Sequence, residues 1–243
     1  MRIVPREERR PGAAAPSGSM QEQSLAIAIP AYKIAYMAVP KAGCSSVKAA
    51  LAHLDPGVTI PPEDEITVMT WHAIYPTVRY RRRAWHNLSD HWRFTVVRDP
   101  VRRMLSVYTN RVVQLRDLHM SRKLRDRPEF AHLSRDPDPD YFFQHLPEYM
   151  KGSSVIKHHC LGTKLFIGPR PLQYDRVYKT EEMGQLARDL SDRTGQPVEM
   201  RRENPSEMKL TLDDLAPQTI DAIRPLLEME YRHLSDYFEN PLK

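Results

Sequence analysis

The string PKAGCSS, Pro40 to Ser46, lies between an apolar run, YKIAYMAV at Tyr32 to Val39, and a helical pattern, VKAALAHL at Val47 to Leu54. The first run concentrates apolar residues as a buried strand does. In the second, Val47, Ala50, Leu51 and Leu54 fall on one helical face. The string is therefore a strand-to-helix turn. In such a turn the unpaired backbone N–H groups and the positive end of the helix dipole point at whatever occupies it, and Gly43 lets the backbone approach closely. With Lys41 at its mouth, the turn is built for an anion, and phosphate is the natural guest.

A second string repeats the architecture. FTVVRDPVRRMLSVY, Phe94 to Tyr108, reads as an apolar strand, an Arg-Asp-Pro turn and an amphipathic helix. Pro100 suits the first helical position, where a missing N–H costs nothing, and Asp99 is a good cap. Arg98 leaves the carboxyl end of the strand, where open α/β sheets bind ligands. Ser106 interrupts the apolar face made by Val101, Leu105 and Tyr108. An arginine fork and a hydroxyl suit a second phosphate. Two anion grips on neighbouring strand ends call for one ligand with two separated phosphates.

With these motifs the chain resembles the sulfotransferases that use 3′-phosphoadenosine 5′-phosphosulfate (PAPS), in particular the carbohydrate-acting family 2 branch and its bacterial relatives. The resemblance runs from Tyr32 to Phe238 and includes weaker likenesses at PDYFFQHL (Pro139 to Leu146), His158 to Cys160, and YDRVYKTEEM (Tyr174 to Met183). It implies a P-loop-NTPase-like three-layer sandwich. It implies that Lys41, Ala42, Gly43, Cys44, Ser45 and Ser46 hold the 5′-phosphosulfate, that Arg98 and Ser106 hold the 3′-phosphate, and that no metal is required. Arg201, Arg202, Asn204 and Ser206 fall in a segment that the family places near cofactor or acceptor.

Composition narrows the rest. A chain of 243 residues with 41% hydrophobic content supports one good core, so residues 25–243 are expected to form a single domain. Residues 1–24 lack apolar periodicity and are expected to be a disordered tail. Two distant cysteines, Cys44 and Cys160, make no disulfide framework. No stretch reads as a signal peptide, and LAIAI at Leu25 to Ile29 is too short to span a bilayer, so a cytoplasmic enzyme is expected. The net charge of +5 suits nucleic acid, but equally a doubly anionic cofactor and an acidic glycan. With no repeat, zinc spacing or aromatic RNA-binding string, nucleic acid is not an expected partner. The arginines Arg79, Arg81, Arg82 and Arg83 read as a solvated face, with contact to a sulfated or carboxylated glycan as the alternative.

Along the chain, Ile66 to Trp71 (ITVMTW) reads as a short strand delivering His72 to the sheet edge. The charged, proline-punctuated stretch Asp117 to Pro139 reads as a lid or insertion. Arg176 to Lys179 suits a strand, Glu181 to Thr194 a helix, and Pro217 to Phe238 a long closing helix. Alternating strands and helices imply a mostly parallel sheet covered on both faces.

Sulfuryl transfer needs an acceptor oxygen in line with sulfur, a base for its proton, and positive charge at the departing phosphate. Lys41 suits the last task. For the base, ten histidines compete. His72 is preferred because it falls between the two cofactor motifs, where the family often places an acceptor-side histidine or glutamate. Glu65 and the adjacent pair His158 and His159 remain alternatives, and at most one of that pair lines a cleft, because neighbours face different ways. Two competing functions stay open: a kinase-like phosphoryl transferase, against which the absence of GxxxxGK[ST] argues, and a non-catalytic glycan- or nucleotide-binding protein of the same fold.

Overall fold

The computed structural model describes residues 26–201 and 208–243. The tail expected at residues 1–24 lies outside the described residues, as do Arg202, Asn204 and Ser206. A short strand β1 (Ile27–Ile29) turns through Pro30–Tyr32 and a left-handed Lys33 into β2 (Ile34–Met37). The two are antiparallel, with Ala28 opposite Ala35. β1 escaped the reading of LAIAI, since three strand residues give no period to detect. Helix α1 (Cys44–Leu54) follows, then α2 (Val68–Ile74), α3 (Arg82–His86) and β3 (Trp92–Val97), which pairs parallel with β2. After β3 come α4 (Pro100–Val107), a π-helical continuation at Tyr108–Gln114, and six short helices. These are α5 (Asp117–Met120), α6 (Arg122–Asp126), α7 (Pro139–Gln144), α8 (Leu146–Gly152), α9 (Ser154–Cys160) and α10 (Lys164–Ile167). Strand β4 (Arg176–Lys179) pairs parallel with β3, and α11 (Met183–Thr194) and α12 (Pro217–His233) complete the chain.

The sheet order is β1-β2-β3-β4, mixed but mostly parallel. Helices cover both faces, so all four residues of β2 and the last four of β3 are buried, as a sheet sandwiched between layers demands. One face carries Tyr36, Phe94, Val96 and Tyr178 against Leu51 of α1, Trp71 of α2 and Leu186 of α11. The other carries Ala35, Met37 and Val97 against Trp85 of α3, Phe166 of α10 and Leu234. The architecture is the P-loop-NTPase-like three-layer sandwich. A third apolar cluster joins α4 to α9 with Ile223, Leu227 and Tyr231 of α12. No helix among the described residues is long and apolar enough to cross a membrane.

Two expectations are corrected. Ile66 to Trp71 is no strand: Thr67 and Thr70 form a reciprocal cap, with the Thr67 N–H donating to Thr70 Oγ1 at 3.0 Å, and this starts α2. The β-branched residues of that stretch suggest a strand, yet a local cap decides for helix. Asp117 to Pro139 is not a lid. It folds as α5, α6 and a 3₁₀ turn that bury Leu118, Leu124 and Leu133 in the third cluster, with most of its charges outward. Gly152 of α8 permits this contact, since a Cβ there would stand 2.2 Å from Leu124 Cδ2.

Candidate functional site

The carboxyl ends of β2, β3 and β4 open onto one cleft of about 1100 Å³. After β2, the backbone turns left-handed at Lys41 (φ 66°) and Gly43 (φ 72°). A Cβ on Gly43 would meet only Met183 Cε at 3.6 Å, so its backbone conformation and not space demands glycine. No side chain caps α1, and Cys44, Ser45 and Ser46 of its first turn line the cleft. The mouth of α4 is different. Asp99 Oδ1 accepts from the Arg102 N–H at 2.9 Å, and Oδ2 accepts from the Tyr231 hydroxyl at 2.7 Å. A carboxylate thus already closes α4, so an anion on this side meets side chains, whereas on the α1 side it meets backbone N–H groups.

The two turns lie side by side. Arg98 Nη1 donates to the Lys41 carbonyl at 3.1 Å, joining the end of β3 to the turn after β2. Lys41 Nζ donates to Asn110 Oδ1 at 2.6 Å, and Asn110 Nδ2 donates to Gln114 Oε1 at 3.0 Å within the π-helical segment. Burial, then the positive charges of Arg111 and Arg98, push the Lys41 pKa down to about 7, with Cys44 and Asp117 opposing. Ser106 reaches the cleft wall, but its Oγ donates to its own helix at Arg103 O, 2.7 Å.

His72 enters from α2, on a helix and not after a strand. Its Nε2 lies 3.0 Å from Ser45 Oγ and its Nδ1 3.1 Å from Lys48 Nζ, which donates to Thr77 Oγ1 at 2.7 Å. Burial, followed by the charges of Lys48, Arg111 and His158, lowers the His72 pKa to about 4. Arg111 donates to Asp117 Oδ2 at 3.3 Å and to His159 Nε2 at 2.8 Å, while His159 Nδ1 donates to the Val155 carbonyl at 2.8 Å. Burial and Arg111 lower the His159 pKa to about 3. His159 lines the cleft; His158 instead sets its ring edgewise to Phe166. Glu65 sits exposed on a 3₁₀ turn and does not line the cleft. Arg79, Arg81, Arg82 and Arg83 are exposed. Cys44 and Cys160 are buried free thiols.

The structure thus brings Lys41, Gly43, Cys44, Ser45, Ser46, His72, Arg98 and Ser106 to one wall; Ala42 is buried beneath them. Thr180 and Glu181, after β4, extend that wall, and Lys209 to Asp213 face it. Sequence reasoning missed Lys48, Asn110 and Arg111. One signal was available: Lys48 stands among Ala49, Ala50 and Ala52, a composition typical of a helix buried nearly all round. Asn110 and Arg111 gave no such sign; they lie where the helix after Tyr108 widens to π geometry, a feature frequent at functional sites.

Comparison with known proteins adds one match and two blanks. No curated protein and no solved structure matches the chain. The sequence model described as the sulfotransferase family matches residues 25–234, which takes in the whole sheet, both turns and α12. The chain belongs to the sulfotransferase family.

Proposed function

We propose that this sulfotransferase moves a sulfonate from PAPS to a hydroxyl of a carbohydrate or related, possibly acidic, acceptor. The observation that carries the reading is the Arg98–Lys41 contact, which sets two anion turns shoulder to shoulder in one cleft. The residues fit a nucleotide with two separated anionic groups. The uncapped first turn of α1, from Ala42 and Gly43 through Cys44, Ser45 and Ser46, would hold the 5′ side with Lys41. Arg98 and Ser106 would hold the 3′-phosphate. The cleft volume exceeds the usual range of about 300–1000 Å³ for a small-molecule site, which suits two substrates together. When bound, the nucleotide supplies an activated sulfonate and a phosphate leaving group.

The protein's own groups then have defined tasks. Lys41, half-protonated near neutral pH in the free protein, gains its proton as an anion arrives and neutralises charge at the 5′ end. His72 is uncharged at neutral pH, so its ring can take the acceptor proton. Arg111, farther along the wall, suits an acidic acceptor.

Calorimetry with adenosine 3′,5′-bisphosphate tests the reading. Binding should be tight, and Arg98→Ala should weaken it by about 1.5–3 kcal/mol, the worth of a charge-assisted hydrogen bond. Preference for ATP would instead indicate a phosphoryl transferase and overturn the proposal.

A further inference from the structure

Lys48 is fully buried, at 0% exposure, one turn into α1 beyond Cys44. Its amine has two polar neighbours, Thr77 Oγ1 at 2.7 Å and His72 Nδ1 at 3.1 Å. Among the described residues no carboxylate pairs with it; the ionisable groups acting on it and on His72 are Cys44 of its own helix, Arg111 of the π segment and His158 of α9. A protonated amine here is a buried cation with no paired carboxylate among the described residues, and Arg111 adds positive charge beside His72. A neutral amine has two N–H groups and one lone pair. It serves the two contacts without a buried charge, an N–H for Thr77 and the lone pair for an N–H on His72 Nδ1, and either form leaves one N–H over. The matching tautomer leaves the His72 lone pair on Nε2, beside Ser45 Oγ and the cleft.

We propose that Lys48 is the terminal proton acceptor of a relay through His72, resting on the sulfotransferase reading above. As the acceptor oxygen bonds to sulfur, its O–H breaks and Nε2–H forms. The Nδ1–H bond breaks in turn and a third N–H forms on Lys48. The oxygen keeps the electron pair it needs, the ring is neutral before and after, and the amine becomes an ammonium. After product leaves, the proton returns to solvent by the same path. The relay answers a difficulty in His72 acting alone. Burial makes the ring a weaker base than a free imidazole, whereas an amine is intrinsically the stronger base and lies one position deeper.

The tautomer is read directly by nitrogen NMR on the ligand-free protein with labelled histidine, His72 being assigned by its disappearance in His72→Gln. A proton on Nδ1 with a bare Nε2 is expected near neutral pH. The opposite tautomer would mean that Lys48 donates as an ammonium, and would overturn the relay. Kinetics supply a second readout. Lys48→Met should lower kcat by about a hundredfold, within the range of a proton-transfer contribution, with adenosine 3′,5′-bisphosphate affinity unchanged. Lys48→Arg should be worse than Lys48→Met, because a guanidinium cannot present a lone pair and forces Nε2–H. A merely packing or charge-supplying lysine would give the reverse order, and that result would also overturn the relay. Failure of the underlying reading is separable, since it would appear as absent nucleotide binding in the wild-type protein whatever its tautomer.

Discussion

At the residue scale, Lys41 carries the largest demand. Its left-handed backbone costs about 1–2 kcal/mol relative to the helical region, and its buried ammonium is disfavoured. Both are tolerated in the chain because Asn110 Oδ1 and the Arg98 link fix the turn. With a free-state pKa of about 7, nucleotide binding at pH 8 should be coupled to proton uptake, seen as a dependence of calorimetric enthalpy on buffer ionisation heat. Lys41→Ala should abolish that dependence and lower kcat by about 10²–10³, as removal of a charge-stabilising donor does. Lys41 and Arg98 were legible in sequence because strand, turn and helix are contiguous in each motif, so local rules aim the side chain. The Lys48–His72–Thr77 grouping was not, since its partners lie 24 and 29 positions apart and meet only because α1 and α2 cross.

At the element scale, the π-helical segment after α4 forms part of the cleft wall. It offers both Asn110 and Arg111 to the cleft within seven residues. Arg111 depresses Lys41, His72 and His159 together, so Arg111→Met should raise all three pKa values and shift the acid limb of the pH–rate profile upward. An unmoved limb would show that the positive field arises elsewhere. The α2 cap offers a milder test. Thr67→Ala should cost about 1 kcal/mol in thermal unfolding and lower activity through a displaced His72. The misassignment of this stretch as a strand has the same root, because Ile66, Thr67 and Val68 carry strand propensity while the Thr67–Thr70 exchange is a pair-specific hydrogen bond.

For the whole molecule, acid should be a weak point. His72 and His159 titrate near 4 and 3 when folded, against about 6.5 unfolded, so the unfolded chain binds more protons in between. Stability contributed above pH 6.5 is then lost as pH falls through that window, which chemical denaturation at stepped pH will show. The third cluster has its own lock. Arg103 and Glu230 pair at 3.0 Å with 3% and 9% side-chain exposure, and Glu230 also accepts from the Thr163 N–H. Glu230→Gln should destabilise by about 3 kcal/mol, since it removes the counter-charge of a buried guanidinium that keeps only the carbonyls of His159 and Leu161. The layered sheet and the closing helix were legible from their patterns, but the short helices packed against that helix were not. Leu118, Leu124 and Leu133 are too sparse among charges to reveal a buried side.

The Tyr231 hydroxyl on α12 holds Asp99 in the turn that follows β3. During synthesis the ribosome makes that turn long before it makes its tether. A nascent chain therefore carries both turns early, yet lacks the brace on one of them until the closing helix has emerged and docked.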